Sequence, residues 1–334
     1  MKLSTIGEFG LIRRFSPPFL KRLTEGVTGI GDDCAVLPYR DGLSLLVTTD
    51  MLVEDIHFLR SRIPPRDLGY KSLAINLSDI AAMGGTPENA FLALGLPGDI
   101  EVEWIDEFFA GLQELCGEEN VSLLGGDTTR SPSPLIVSLT VTGTVATAKA
   151  KYRSAAMPGD AVCVTGVLGD SGGGLRVLLA GGPRDEDESC LVRQHHRPRA
   201  HLAEGRWLAG RDGVHAMMDV SDGIDSDLRR IMERSRCGAE VELDRLPVSP
   251  ELGRVAARHG WQVPEIAAAD GEDYCLLLTV VPAAFEEIAA AFAAEFGRPL
   301  PRIGTVTAPQ SGLVYVREGR RWELGKQGFD HFAG

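Results

Sequence analysis

The sequence predicts a two-domain α/β (α+β) protein, on three observations. Its 334 residues exceed what one hydrophobic core usually organises. Short apolar runs of strand character alternate with helix-length segments in both halves. A polar stretch, ATAKAKYRSAAMPGD from about Ala146, ends in Pro and Gly as a connection does, and divides the chain into 1–148 and 149–334.

Taken in order, Gly7 to Phe15 has the spacing of a short amphipathic helix, stopped at Pro17-Pro18 and followed by a second helical turn. The loop GIGDD comes next, then strand-like CAVLP and LSLLVTTD and a segment carrying His57. From Arg66 to Met83 the spacing predicts a helix, bounded by Pro64-Pro65 and Gly84-Gly85. At 100° per residue, Leu73, Leu77, Ile80 and Ala81 share one side, Ile75 and Ala82 also avoid solvent, and Ser72, Asn76 and Asp79 form a narrow polar seam. A helix this apolar is buried, so Asp79 needs a partner. FLALGLP reads as a strand and Glu103 to Cys116 as a helix; VSLLGGDTT and a Ser-Pro-Ser-Pro loop then lead to the alternating strand LIVSLTVTGTV.

The second half opens with a strand, AVCVTG, a turn, GVLGDSGGG, and a helix, LRVLLAGG. The turn lacks the G-K-[ST] ending of a P-loop and fits the dinucleotide fingerprint poorly, so it reads as tight packing. Cys190 to Leu208 reads as helical and basic, and HAMMDVSDGIDSDLRRIMERS passes from strand through an acidic turn to helix. A helix from Pro282 to Phe296 and strands near Ile303 and Leu313 complete this unit.

Charge narrows the function. With 47 acidic against 34 basic residues the net charge is −13, which disfavours a nucleic-acid partner. An acidic protein that handles phosphate must find cations elsewhere, and bound metal is the obvious source. The six cysteines include no C-x-x-C pair, and no run of 18 apolar residues or signal-peptide pattern appears. No membrane partner is expected, and the expected location is cytoplasmic.

Acidic turns recur: GDD at Asp32 and Asp33, TTD at Asp50, LSD at Asp79, GGDTT at Asp127, DVSDG at Asp219 and Asp222. One such turn is explained by capping, since Ser221 or Asp222 can start a helix. Several at the ends of rigid elements point to carboxylates converging on divalent cations, and oxygen-only ligands suit Mg²⁺. EF-hand spacing, a lone glycosidase pair and a G-x-S-x-G elbow do not match. His195, His196, His201, His215, His259 and His331 read as surface or packing residues.

Together GIGDDCAVL, VTTDMLVEDIHF, YKSLAINLSDIAAMGG, LLGGDTTR, DVSDGIDSDL, GEDY and the terminal GFDHF, in this order across nearly the whole chain, resemble the thiamine-monophosphate kinase family. The resemblance implies an aminoimidazole-ribonucleotide synthetase-like fold. In it an N-terminal ATP- and Mg-binding domain pairs its sheet with a second subunit's in a homodimer, beside a C-terminal α/β domain. It implies direct, Mg²⁺-assisted in-line transfer of the ATP γ-phosphoryl group to thiamine phosphate. By resemblance Asp33, Asp50, Asp79, Asp127, Asp219 and Asp222 are ligands of several Mg²⁺ ions, with Thr48 and Thr49 assisting through main-chain or hydroxyl oxygens. Gly126, Asp127, Arg153 and Ser221 resemble ATP contacts; His57, Glu272 and Phe329 resemble contacts to thiamine phosphate. Another ATP-using enzyme of this fold, such as a selenophosphate synthetase, is the nearest rival, though the Cys and Lys expected near its N-terminus are missing. A non-catalytic metal or nucleotide sensor is the rival from another class.

Overall fold

The structure, a computed structural model, describes residues 5–325 and 328. Two mixed sheets, each with one parallel pair, carry the helices. Helix α1 (Gly7–Leu20) precedes β1 (Ala35–Arg40), β2 (Leu43–Val53), α2 (Pro65–Ala82), β3 (Thr86–Leu96), α3 (Val102–Glu118), β4 (Ser122–Arg130) and β5 (Ile136–Ala146). Their sheet runs β1-β2-β5-β3-β4. Alternate residues of its strands, among them Leu46, Leu92, Val137 and Leu139, are buried on the face that α2 covers. The opposite face leaves Met51 and Phe91 exposed, and every residue of the edge strand β4 is exposed.

The second sheet, ordered β12-β11-β8-β10-β6-β9-β7, is built from β6 (Ala161–Val164), β7 (Val214–Asp219), β8 (Gly238–Glu242), β9 (Leu276–Val280), β10 (Arg302–Thr307), β11 (Leu313–Arg317) and β12 (Arg320–Trp322). Helices α4 (Asp170–Leu179), α5 (Glu186–His196), α6 (Leu202–Ala209), α7 (Ile224–Ser235), α8 (Pro250–His259), α9 (Val263–Ala269) and α10 (Pro282–Phe296) complete the half. Leu73, Leu77 and Ile80 of α2 share one hydrophobic cluster with Leu276, Leu278 and Phe292, so the core runs from the first sheet through α2 into the second half. That explains the shortage of polar residues on α2: both of its sides are interior.

Three expectations need correction. Pro17 and Pro18 do not stop α1, which continues to Leu20; the carbonyls their missing N–H groups would have bonded belong to exposed Arg13 and Arg14, where water can serve. Cys190 to Leu208 is not one helix but α5 and α6, parted around Pro198, whose ring disfavours helical backbone in Arg197. The strand read from Phe91 begins at Thr86, with a register shift after Pro87.

Candidate active site

The carboxylates come from four rigid pieces. In GIGDD, Gly31 adopts φ +130°, and a side chain there would meet the Arg234 guanidinium at 2.8 Å. This turn sends its two aspartates different ways. Asp32 accepts the Arg153 backbone N–H at 2.8 Å, whereas Asp33 takes a forked pair from the Arg153 side chain at 2.5 and 3.2 Å. Strand β2 supplies Thr48, whose hydroxyl donates to Asp79 Oδ2, and two residues on, on the same face, Asp50. Asp79 is the least buried residue on the last three turns of α2, and it opens to the cavity. Asp219 ends β7, buried, and accepts the Ser78 hydroxyl at 2.7 Å, a bond from α2 to the second sheet.

Carboxylate oxygens of Asp33, Asp79 and Asp219 lie within 4.8 Å of one another. Burial, then the charges of Asp50, Asp219 and Asp33, push Asp79 well above the usual carboxylate range, against the pull of Thr48. Burial and then Asp33 do the same to Asp219. Asp50 is pushed up to about 6 by burial and the Asp222 and Asp33 charges. At neutral pH this group is short of positive charge, and hard carboxylate and hydroxyl oxygens at this spacing fit a small divalent cation.

Around the trio lies a cavity of about 1200 Å³, lined also by Thr49, Asp50, His57, Arg153, Ser221, Asp222 and Glu272. The Thr49 hydroxyl is spent within the sheet, donating to Leu139 O at 3.1 Å, so its main chain is what it can offer. His57 Nδ1 accepts the Val53 N–H at 3.0 Å, which fixes the ring. Ser221 and Asp222 are shaped by a residue the motif reading passed over: Asp227 accepts both their N–H groups, at 3.0 and 3.1 Å. Arg230, also unforeseen, pairs with Asp222.

Gly126 and Asp127 are not brought to this cavity. The row Asp50, Leu139, Leu92, Gly126 crosses four strands, and Asp127 falls in the next row, on the face away from α2. Gly126 has a packing reason of its own, since a Cβ would meet Leu92 O at 1.6 Å. Phe329 and His331 lie outside the described residues.

Of the histidines read as surface or packing residues, His195 and His196 are packed inside, both buried and lining the cavity. The turn GVLGDSGGG packs tightly, a Cβ on Gly174 meeting Leu191 O at 2.3 Å, and Ser171 and Gly172 also line the cavity. Lys71, fully buried on α2, was missed altogether; it binds Glu272 at 3.1 Å. The signal was present, because a lysine inside so apolar a helix demands a partner as much as Asp79 does.

Residues 31–145 match the family model of AIR synthase related proteins, N-terminal domain, and residues 157–317 its C-terminal domain. The thiamine-monophosphate kinase of Escherichia coli (strain K12) is 40% identical over 331 residues, 98% of each chain. A solved structure of AaThiL complexed with AMPPCP and TMP superposes with a TM-score of 0.86 at 32% identity, covering 99% of both chains. The thiamine monophosphate kinase of Aquifex aeolicus gives 0.80 at 30% identity, over 97% of this chain and 100% of that one.

Proposed function

Because the chain belongs to the thiamine-monophosphate kinase family of AIR synthase related proteins, we propose that it transfers the γ-phosphoryl group of ATP to thiamine phosphate, giving thiamine diphosphate and ADP. The observation that carries this is the carboxylate trio on one wall of a cavity that also presents His57 and Glu272. A relative with this fold is known in complex with AMPPCP and TMP.

Phosphoryl transfer asks for alignment and charge neutralisation more than covalent chemistry. Asp33, Asp79 and Asp219, with Asp50, Asp222, Thr48 and the Thr49 main chain around them, would hold Mg²⁺, which when bound supplies positive charge to the transferring phosphate oxygens. Arg153 holds Asp33 meanwhile and is placed to turn its fork to a phosphate once that carboxylate is otherwise engaged. Ser221 sits on the nucleotide side through its fixed main chain, whereas His57 and Glu272 face the acceptor. Phe329 keeps the acceptor role assigned by resemblance.

The reading includes a homodimer and a boundary at residues 148/149. Exposed Met51 and Phe91 on the face away from α2, with exposed Leu123 and Leu124 on the edge strand β4, form an apolar surface that a second copy would cover. Asp127 lies on the face away from α2 and Gly126 beside it on the exposed edge strand, so in this reading they serve the partner's site. All six thiols are free, which suits a reducing, cytoplasmic setting.

Thiamine diphosphate should form from thiamine phosphate and ATP with Mg²⁺ and should cease on chelation. Folded protein that gives no product under both conditions sinks the assignment.

A further inference from the structure

Lys71 exposes no surface, and its ammonium lies 3.1 Å from both carboxylate oxygens of Glu272, a residue 201 positions away. Glu272 itself is held against local preference: it has φ +65°, and its N–H is fixed on Ser221 O at 2.7 Å. On its other side His195 Nδ1 lies 3.2 Å from the same carboxylate and 2.9 Å from Ser171 Oγ. The Glu272 side chain is 26% exposed and reaches the cavity, whereas Lys71 does not line it. A bare carboxylate there would repel an acceptor that carries a phosphate, and a buried ammonium behind it removes that repulsion while leaving outward lone pairs free to accept hydrogen bonds.

We propose that Lys71 is a positioning residue for the acceptor, which through its ion pair aims the Glu272 carboxylate into the cavity and balances its charge. The inference rests on the reading of Glu272 as an acceptor contact. Lys71 acts on acceptor recognition, not on the nucleotide or the metal trio.

Steady-state kinetics on Lys71→Met, Glu272→Gln and the double variant test it. Lys71→Met should raise KM for thiamine phosphate about 10–100-fold, the scale of one charge-assisted hydrogen bond, with kcat and KM for ATP within about threefold. In the Glu272→Gln background it should add nothing further. An unchanged acceptor KM in either single variant, or additive effects in the double, overturns the proposal. If Lys71→Met does not fold, Glu272→Gln against the double variant decides alone, because a buried lysine without its counter-ion can shed its proton and the double variant carries neither charge: equal KM supports and a further rise refutes. If the unaltered protein makes no product, the preceding assignment fails, and ¹⁵N NMR of His195, which faces Lys71, Glu272, Ser171 and His196, decides without substrate. Burial, Lys71 and His196 hold its titration well below the usual range; loss of Lys71 should raise it, and no change refutes the linkage.

Discussion

Asp50 shows the cost of crowding buried carboxylates into one cavity. Its carboxyl titrates at about 6 in the fold, above the unfolded value of about 4. The stability it contributes is therefore present below about pH 4 and lost as pH rises through about 6. Asp50→Asn should accordingly stabilise chelated protein at pH 8 by about 1–3 kcal/mol, with the gain fading between about pH 6 and 4. Urea unfolding across that range checks it, and an Asn variant less stable than the parent at pH 8 contradicts it. Product formation should drop at least about 100-fold in the same variant. Asp50, Asp79 and Asp219, which line one cavity, were legible because each stood at the end of an apolar run. The sequence could not divide the work of Asp32 and Asp33: both read alike, and only the structure shows that one accepts the Arg153 backbone N–H while the other takes the Arg153 side chain and joins the carboxylate trio. For Lys71 the need for a partner was legible in α2, but the partner itself was not, being remote in the chain.

Among the elements, α2 was readable because interior surroundings demand apolar residues on all sides, and its composition says so without any contact map. Strand β4 was not. SLLGGDTTR has the apolar residues of a covered strand, yet each of its residues is exposed in the single chain. If a second copy covers it, Leu124→Glu at the more exposed of its two leucines should yield monomers in sedimentation and lose activity. Asp33→Asn and Asp127→Asn, each inactive, should regain about a quarter of full activity when their subunits are exchanged, because random pairing makes half of the dimers mixed and each has one intact site. No recovery after proven exchange would place Asp127 in its own chain's site.

For the whole molecule, the carboxylate trio spans both halves: Asp33 and Asp79 belong to the first and Asp219 to the second, with Ser78 tied to Asp219. A cation bound only by the folded state must stabilise the entire fold, by about 2.7 kcal/mol at a hundred times its dissociation constant. Mg²⁺ should thus raise the melting temperature by about 3–5 °C in a thermal scan, and Asp219→Asn should remove most of that rise; an equal rise in the variant would put the cation elsewhere. The two halves were predictable from length and alternation, but the continuous core through α2 was not, because separate domains and domains sharing a helix look alike in one dimension. That sharing has a price in biosynthesis. On the ribosome Lys71 and the apolar sides of α2 emerge 201 residues before Glu272, about 10–40 s earlier at ordinary elongation rates. Throughout that wait the nascent first half presents a lone ammonium amid uncovered leucines, which makes it a client for chaperones until the second half is translated.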